Sequence, residues 1–225
     1  MNNNTKKTVF MVSAVSVFCI LMAITDANTT YLLKSAVKSM LFLILPIIYS
    51  FYDKDLKIKK IFMFNKKGII TAGILSVSVY LVIIGGYLLL KDVFDFSKIT
   101  GALTKNTGVT VNNFIFISTY ISFINSFLEE FFFRGFAFIT LKRIAGRKFA
   151  YFFSAGAFAV YHIAMMTGWF KISVFLIVVA GLFAGGLIFN YLNEKSETIY
   201  PSWLVHMFAN FAINTIGFML FGIIG

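Results

Sequence analysis

Three ionisable side chains lie close together inside an otherwise apolar stretch of this sequence: Glu129, Glu130 and Arg134, within residues 114–139. A charged side chain near the centre of a membrane helix costs roughly 2.5–3.5 kcal/mol, so the three together cost about 8 kcal/mol before they pair. A carboxylate at that depth can act as a general base, and a guanidinium can neutralise a neighbouring carboxylate. The triplet therefore indicates a functional site.

The helical period predicts different roles for the two glutamates. Glu130 and Arg134 are four residues apart and share a helix face, which predicts an ion pair. Glu129 is rotated by about 100° from Glu130 and has Asn125 one turn before it, so we expect it to lack a full counter-charge. Such a carboxylate holds a proton more tightly in a low dielectric, which suits a general base. A purely structural Glu130–Arg134 pair is the alternative for those two residues.

The only two histidines of the chain, His162 and His206, fall in later apolar segments. The short basic loop at 142–148 predicts an antiparallel hairpin. Glu129 lies 13 residues before that loop and His162 lies 14 residues after it. Residues equidistant from a hairpin turn lie at similar depth, so we expect Glu129 and His162 to meet.

A polar stripe runs along the last apolar segment, where His206, Asn210 and Asn214 are spaced by four residues on one helix face. Taken alone, a histidine or asparagine in an apolar helix usually bonds to a neighbouring helix. The concentration of strongly polar groups in three short motifs on three segments favours a shared site.

The composition predicts an all-α, polytopic transmembrane helix bundle. The chain has 225 residues, 59% of them hydrophobic and 13% charged, and its mean hydropathy is +0.86. We expect a single transmembrane domain over residues 1–225 with about seven to eight membrane helices and the catalytic helices within about 114–225. The first segment is expected to be retained, with a cleaved signal peptide as the alternative. The predicted apolar segments are 8–25, 31–52, 68–90, 114–141, 149–166, 172–192 and 201–225.

The net charge of +11 lies between the apolar segments, which indicates contact with lipid headgroups in the bilayer and argues against nucleic acid as a partner. A cytoplasmic N-terminus places 13 basic residues inside and 6 outside, with Lys34 and Lys38 counted at the outer end of the second segment. Loops 53–67 and 142–148 are then cytoplasmic, and Glu129 is expected in the cytoplasmic half.

Two further features bear on assembly. The single cysteine, Cys19, excludes an intramolecular disulfide. The sixth segment contains Gly181 and Gly185, a small-xxx-small pattern that predicts close helix packing inside the bundle or, as the alternative, an oligomer.

The ordered motifs Glu-Glu-x-x-x-Arg, Phe-x-x-x-His and His-x-x-x-Asn, on separate segments, resemble those of the CAAX protease and bacteriocin-processing (CPBP, Abi) family of intramembrane endopeptidases. The resemblance covers residues 114–225, and the earlier segments resemble the family only in being hydrophobic. The family typically has about eight membrane helices, one more than the segments counted here. The positions that carry the resemblance are Glu129, Glu130, Arg134, Phe158, His162, His206 and Asn210.

The resemblance implies a division of roles. Glu129 and His162 would activate a water for attack on a peptide carbonyl. His206 and Asn210 would stabilise the oxyanion, and the neighbouring ion pair would orient these groups.

The need for a metal is a separate question. Glu129, His162 and His206 are a ligand set that could bind zinc with an open position for water. The sequence has no His-Glu-x-x-His helix, and Asn210 is a poor zinc ligand. We therefore favour a metal-free glutamate–histidine mechanism that requires no cofactor.

The predicted substrate is a peptide or protein segment at the membrane, with or without a lipid group. The chain has 17 lysines and 3 arginines, which suggests an AT-rich genome and a bacterial plasma membrane. Peptide or bacteriocin processing, self-immunity and CAAX-type proteolysis are the expected activities.

A proton-coupled transporter is one alternative, because buried Glu, Arg and His also form proton relays. A non-catalytic membrane adaptor is the other.

Overall fold

A computed structural model describes residues 2–93, 96–166, 169 and 171–224. These residues form a bundle of eight helices and contain no β-strand, as the composition predicts. A short 3₁₀ segment, Ile58–Phe62, lies between the second and third helices. The helices are α1 (Asn3–Asn28), α2 (residues 31–52), α3 (Lys66–Leu90), α4 (Ser97–Thr107), α5 (residues 114–144), α6 (Arg147–Met166), α7 (Ile172–Ser196) and α8 (Tyr200–Leu220).

Each of the seven predicted apolar segments corresponds to one helix. Six helices (α1, α2, α3, α6, α7 and α8) are long and apolar enough to cross a membrane. The seventh is α5, the helix that contains the glutamates and the arginine. Helix α4 was not predicted; it has 11 residues and ends at Gly108, whose φ of 69° is easily adopted by a residue without a side chain.

Helices α2 and α5 are not uniform α-helices. Met40–Ile44 in α2, and Ile121–Asn125 and Phe131–Phe138 in α5, form π-helical turns. In such turns the backbone N–H bonds to the carbonyl five residues earlier, and these turns are frequent at functional sites. The sequence analysis treated 114–141 as one regular helix. The wider turns of α5 lie immediately before and after the segment that carries Glu129 and Glu130.

Aromatic packing joins α2 and α6 to α5. The Phe42 ring stacks on the Phe132 ring with centroids 4.1 Å apart and planes 7° apart. Phe133, on the next position of α5, packs edge-on against Phe158 of α6 at 5.5 Å. In a membrane, helices associate through packing, and each such aromatic pair contributes about 0.5–1.5 kcal/mol, so these contacts fix how the three helices face one another.

Ion pairs join the two basic loops, 53–67 and 142–148, at one end of the bundle. Arg143 at the end of α5 pairs with Asp53, which follows α2. Glu194 near the end of α7 pairs with Arg147 and with Lys142, each at 2.8 Å. The loops predicted to share one side of the membrane therefore lie at the same end of the structure.

The close approach of α7 to α6 occurs at Gly186. A Cβ at Gly186 would lie 2.9 Å from the Cα of Ala155, whereas a Cβ at Gly181 or Gly185 would meet no atom within 4 Å. The prediction that Gly181 and Gly185 pack inside the bundle is wrong. The face of α7 that contacts α6 contains Gly186, which is one residue after Gly185 and is turned from it by about 100°.

Candidate active site

Three helices bring the predicted ionisable residues together. Glu129 and Glu130 lie on α5, His162 on α6 and His206 on α8. Their exposed fractions are 2%, 0%, 8% and 6%, respectively. The four side chains therefore form one cluster that is almost completely shielded from solvent.

The predicted ion pair of α5 is present. Arg134 Nη1 donates to Glu130 Oε1 at 3.1 Å, and both side chains are fully buried. The guanidinium lies over the rings of Phe158 and Phe189, with its Cζ atom 4.1 and 4.9 Å from their centroids. Stacking on aromatic faces stabilises a buried guanidinium, so Phe158 contacts the ion pair as well as the His162 ring, 4.6 Å away.

Hydrogen bonds fix the orientation of both imidazoles. His162 Nδ1–H donates to the Phe158 carbonyl oxygen at 2.7 Å, and His206 Nδ1–H donates to Glu130 Oε1 at 2.9 Å. Each Nε2 atom then lies 3.6 Å from Glu129 Oε2. Glu129 and His162 meet at one depth, as the hairpin geometry predicts.

The two oxygens of Glu129 have different surroundings. Oε1 accepts a hydrogen bond from Asn125 Nδ2 at 3.0 Å and another from Lys38 Nζ. Oε2 is buried, has no hydrogen-bond partner within the described ranges and faces both imidazole Nε2 atoms. Oε2 is therefore the oxygen available to a small polar molecule.

The prediction that Glu129 lacks a full counter-charge is wrong. Lys38 of α2, only 4% exposed, pairs with it directly. The pair joins residues 91 positions apart, and helical periodicity carries no information on contacts between helices. The available signal was a lysine inside an apolar segment, which the charge count had assigned to the outer end of that segment.

The site contains equal numbers of opposite formal charges. Glu129 pairs with Lys38, and Glu130 pairs with Arg134. Buried ions are tolerated when each has a partner and further hydrogen bonds. The two ion pairs therefore explain how so much charge can lie at this depth.

Asn210 is the predicted site residue whose described hydrogen bond goes to the backbone and not to the cluster. It is one turn beyond His206 and its amide nitrogen donates to the Ile121 carbonyl oxygen at 3.1 Å. Within the described residues, no hydrogen bond joins it to Glu129, His162 or His206. Its second amide hydrogen is not used in that bond. The oxyanion role of Asn210 stays a prediction.

The cluster contains possible metal ligands and a neighbouring cation, and its need for a metal stays a prediction. Among the side chains that the structure describes, no three His, Cys, Asp or Glu residues are arranged to hold a metal ion. Glu129, His162 and His206 are suitable ligand types for zinc. However, the Lys38 ammonium on Glu129 would repel a divalent cation placed beside the same carboxylate.

Phe189 of α7 belongs to the site and could not be predicted from the sequence. Its ring stacks on His206, with centroids 5.5 Å apart and planes 27° apart. It also covers one face of the Arg134 guanidinium. Helix α7 carries no catalytic motif, and one phenylalanine among the 29 in the chain gives no signal.

The described helices form a membrane-type bundle around a buried Glu/His cluster, in which one carboxylate oxygen faces two imidazoles. This is the class of site that the sequence motifs predict. Residues 111–212 match a family model described as "Type II CAAX prenyl endopeptidase Rce1-like". The matched segment is similar to the CAAX protease family and includes every motif residue. The matched family is one of endopeptidases that act on a peptide or protein at the membrane, and the six membrane-length helices indicate an integral membrane protein. Comparisons with curated proteins and with solved structures each found no match.

Proposed function

We propose that this protein is an intramembrane endopeptidase in which Glu129 is the general base. The observation that carries the proposal is its Oε2 atom, which is buried, unpartnered in the described structure and 3.6 Å from two imidazole Nε2 atoms. A water admitted there would lie within reach of the carboxylate and both rings. Glu129 takes a proton from that water, and the resulting hydroxide attacks the peptide carbonyl to form a tetrahedral oxyanion. Collapse of this intermediate breaks the C–N bond, and Glu129 returns its proton to the leaving amine, which restores the carboxylate.

His162 orients the attacking water. Its Nδ1 hydrogen is already donated to the Phe158 carbonyl oxygen, so its Nε2 carries a lone pair. That lone pair accepts a hydrogen from the water and directs the oxygen lone pair towards the substrate.

His206 and Asn210 stabilise the oxyanion in this proposal. His206 donates its Nδ1 hydrogen to Glu130, and an imidazolium at this position would also donate from Nε2. Asn210 has one amide hydrogen beyond the one it gives to Ile121, and this hydrogen is its contribution to the oxyanion.

The proposed mechanism uses no metal. The Lys38 ammonium already neutralises the carboxylate that a metal would need. We expect chelator-treated, purified protein to contain no stoichiometric metal and to keep its peptidase activity. One zinc ion per chain, with activity lost on its removal and restored on its return, would overturn this part of the proposal.

The proposed substrate is an extended peptide segment that enters from the cytoplasmic face. Glu129 is the central residue of α5, 15 residues from either end, or about 22 Å at 1.5 Å per residue. A scissile bond must therefore be drawn well into the bundle, which a folded domain cannot do. Peptide or bacteriocin maturation in a bacterial plasma membrane is the setting we favour, with CAAX-type tails as the second substrate class.

The test is a cleavage assay with a library of short lipidated and unlipidated peptides, run on reconstituted protein. Wild type and Asp55→Ala, which changes a carboxylate that is 78% exposed, should cleave the same peptides at similar rates. Glu129→Ala should cleave none of them while remaining inserted and folded. Cleavage by Glu129→Ala at the wild-type rate would contradict the mechanism. Proton-dependent uptake without cleavage would favour a transporter.

A further inference from the structure

Lys38 is a buried lysine surrounded by groups that stabilise a cation. Its Nζ atom donates to Glu129 Oε1 and to Asn125 Oδ1. The rings of Tyr161 and Phe42 lie 5.0 and 5.6 Å from the same nitrogen. An ammonium that is 4% exposed requires such partners to offset its lost hydration.

The three polar groups form a closed ring of hydrogen bonds. Lys38 donates to both partners, and Asn125 Nδ2 donates to Glu129 Oε1 at 3.0 Å. The ring occupies Oε1 of the carboxylate completely and fixes the orientation of the Asn125 amide. Oε2 is left to face the imidazoles.

The position of Lys38 is set by packing and not by the family motifs. It precedes the π-helical turn Met40–Ile44, and Phe42 in that turn stacks on Phe132 of the catalytic helix. Residue 38 lies outside the matched segment, 111–212. The match therefore assigns no role to this lysine.

We propose that Lys38 is a positioning residue for the reaction. It supplies the counter-charge of Glu129 and, with Asn125, holds Oε1 so that Oε2 faces the attacking water. The inference rests on the proposed role of Glu129 as general base. Lys38 itself touches neither the water nor the peptide.

The kinetic test compares four variants, Lys38→Met, Lys38→Arg, Lys34→Met and Glu129→Gln, at equal amounts of folded, reconstituted protein. Lys38→Met should lower kcat about 100-fold, the order that a 1 Å misplacement of a reacting group costs. KM should change less than about threefold, because substrate binding is not altered. Lys38→Arg restores the cation and should recover most of kcat.

Lys34→Met is the matched control, since Lys34 lies one turn earlier on α2 and is also buried. It should keep kcat within about threefold of wild type. Wild-type kcat in Lys38→Met, together with an inactive Glu129→Gln, would overturn the inference. Equal losses in Lys34→Met and Lys38→Met, without recovery in Lys38→Arg, would also overturn it, because these results describe a general packing defect.

A double-mutant cycle of Tm values tests the Lys38–Glu129 pair without an activity assay. Lys38→Met and Glu129→Gln should each lower the Tm by roughly 5 °C or more, because each leaves a buried charge without its partner. The double variant should lose clearly less than the sum of the two. Additive shifts would show that the two side chains do not act together. An active Glu129→Gln would refute the proposed function instead, so the two failures are distinguishable.

Discussion

The two adjacent carboxylates of α5 have partners of different origin. Glu130 binds Arg134, four residues further along the same helix. Glu129 binds Lys38, which comes from a different helix 91 residues earlier. Both leave Oε2 without a hydrogen-bond partner in the described structure. Only Glu129 presents that oxygen at 3.6 Å to the Nε2 atoms of two histidines. In the proposed mechanism, the carboxylate paired within its own helix supports the site, and the carboxylate paired with another helix performs the chemistry.

The largest expected effect comes from breaking the local pair. Arg134→Met leaves Glu130 as a buried charge with only His206 beside it, which should cost about 3–5 kcal/mol of unfolding free energy. For a chain of this size that corresponds to a Tm lower by roughly 10 °C, measured by thermal unfolding in detergent.

Arg147→Met is the control for this experiment, because its side chain is 62% exposed and pairs with Glu194 at the surface. Its Tm should stay close to that of wild type, since exposed ion pairs contribute little. Equal Tm values for the two arginine variants would show that the Glu130–Arg134 pair does not hold the site together.

The second largest expected effect distinguishes a catalytic asparagine of α8 from a structural one. Asn210→Ala should lower kcat by about 100-fold, the usual loss when one oxyanion donor is removed. Asn214→Ala is matched in type and helix face, but its amide binds Ser118 O and Ser122 Oγ on α5. It should lower the Tm and leave the kcat of the folded protein close to wild type. The reverse pattern would remove Asn210 from the mechanism.

The smallest expected effect concerns Phe189, which contacts partners of both carboxylates, His206 and Arg134. Phe189→Leu removes the ring that stacks on His206 and covers Arg134. We expect a loss of about 1 kcal/mol in stability, the usual value of such aromatic contacts, and a modest fall in kcat. Phe183→Leu, on the same helix and stacked on Phe152, should leave kcat unchanged. An unchanged kcat in Phe189→Leu would limit Phe189 to a packing role.

Local spacing predicted much of the fold and of the site. The seven apolar segments, the Glu130–Arg134 pair and the meeting of Glu129 with His162 all follow from helical period and hairpin length. These features depend on residues that are near in sequence or equidistant from one turn. They can therefore be read without knowing how the other helices pack.

Contacts set by packing between distant helices could not be predicted. Lys38 reaches Glu129 because Phe42 stacks on Phe132, and Phe189 reaches His206 because α7 closes on α6 at Gly186. The π-helical turns of α5 likewise depend on tertiary packing, because they replace ordinary helical hydrogen bonds. Each of these features needs a three-dimensional arrangement that one sequence does not specify.

In the proposed mechanism Glu129 is the general base and Glu130 supports the site. The most direct test compares the kcat of Glu129→Gln with that of Glu130→Gln. Both changes keep the size of the side chain and an oxygen that accepts hydrogen bonds. Folded Glu129→Gln should lose about 1,000-fold or more in kcat because it cannot accept a proton. Glu130→Gln should lose about tenfold, because His206 and Arg134 keep an acceptor. Turnover by Glu129→Gln within tenfold of wild type, or equal losses in both variants, would contradict the account.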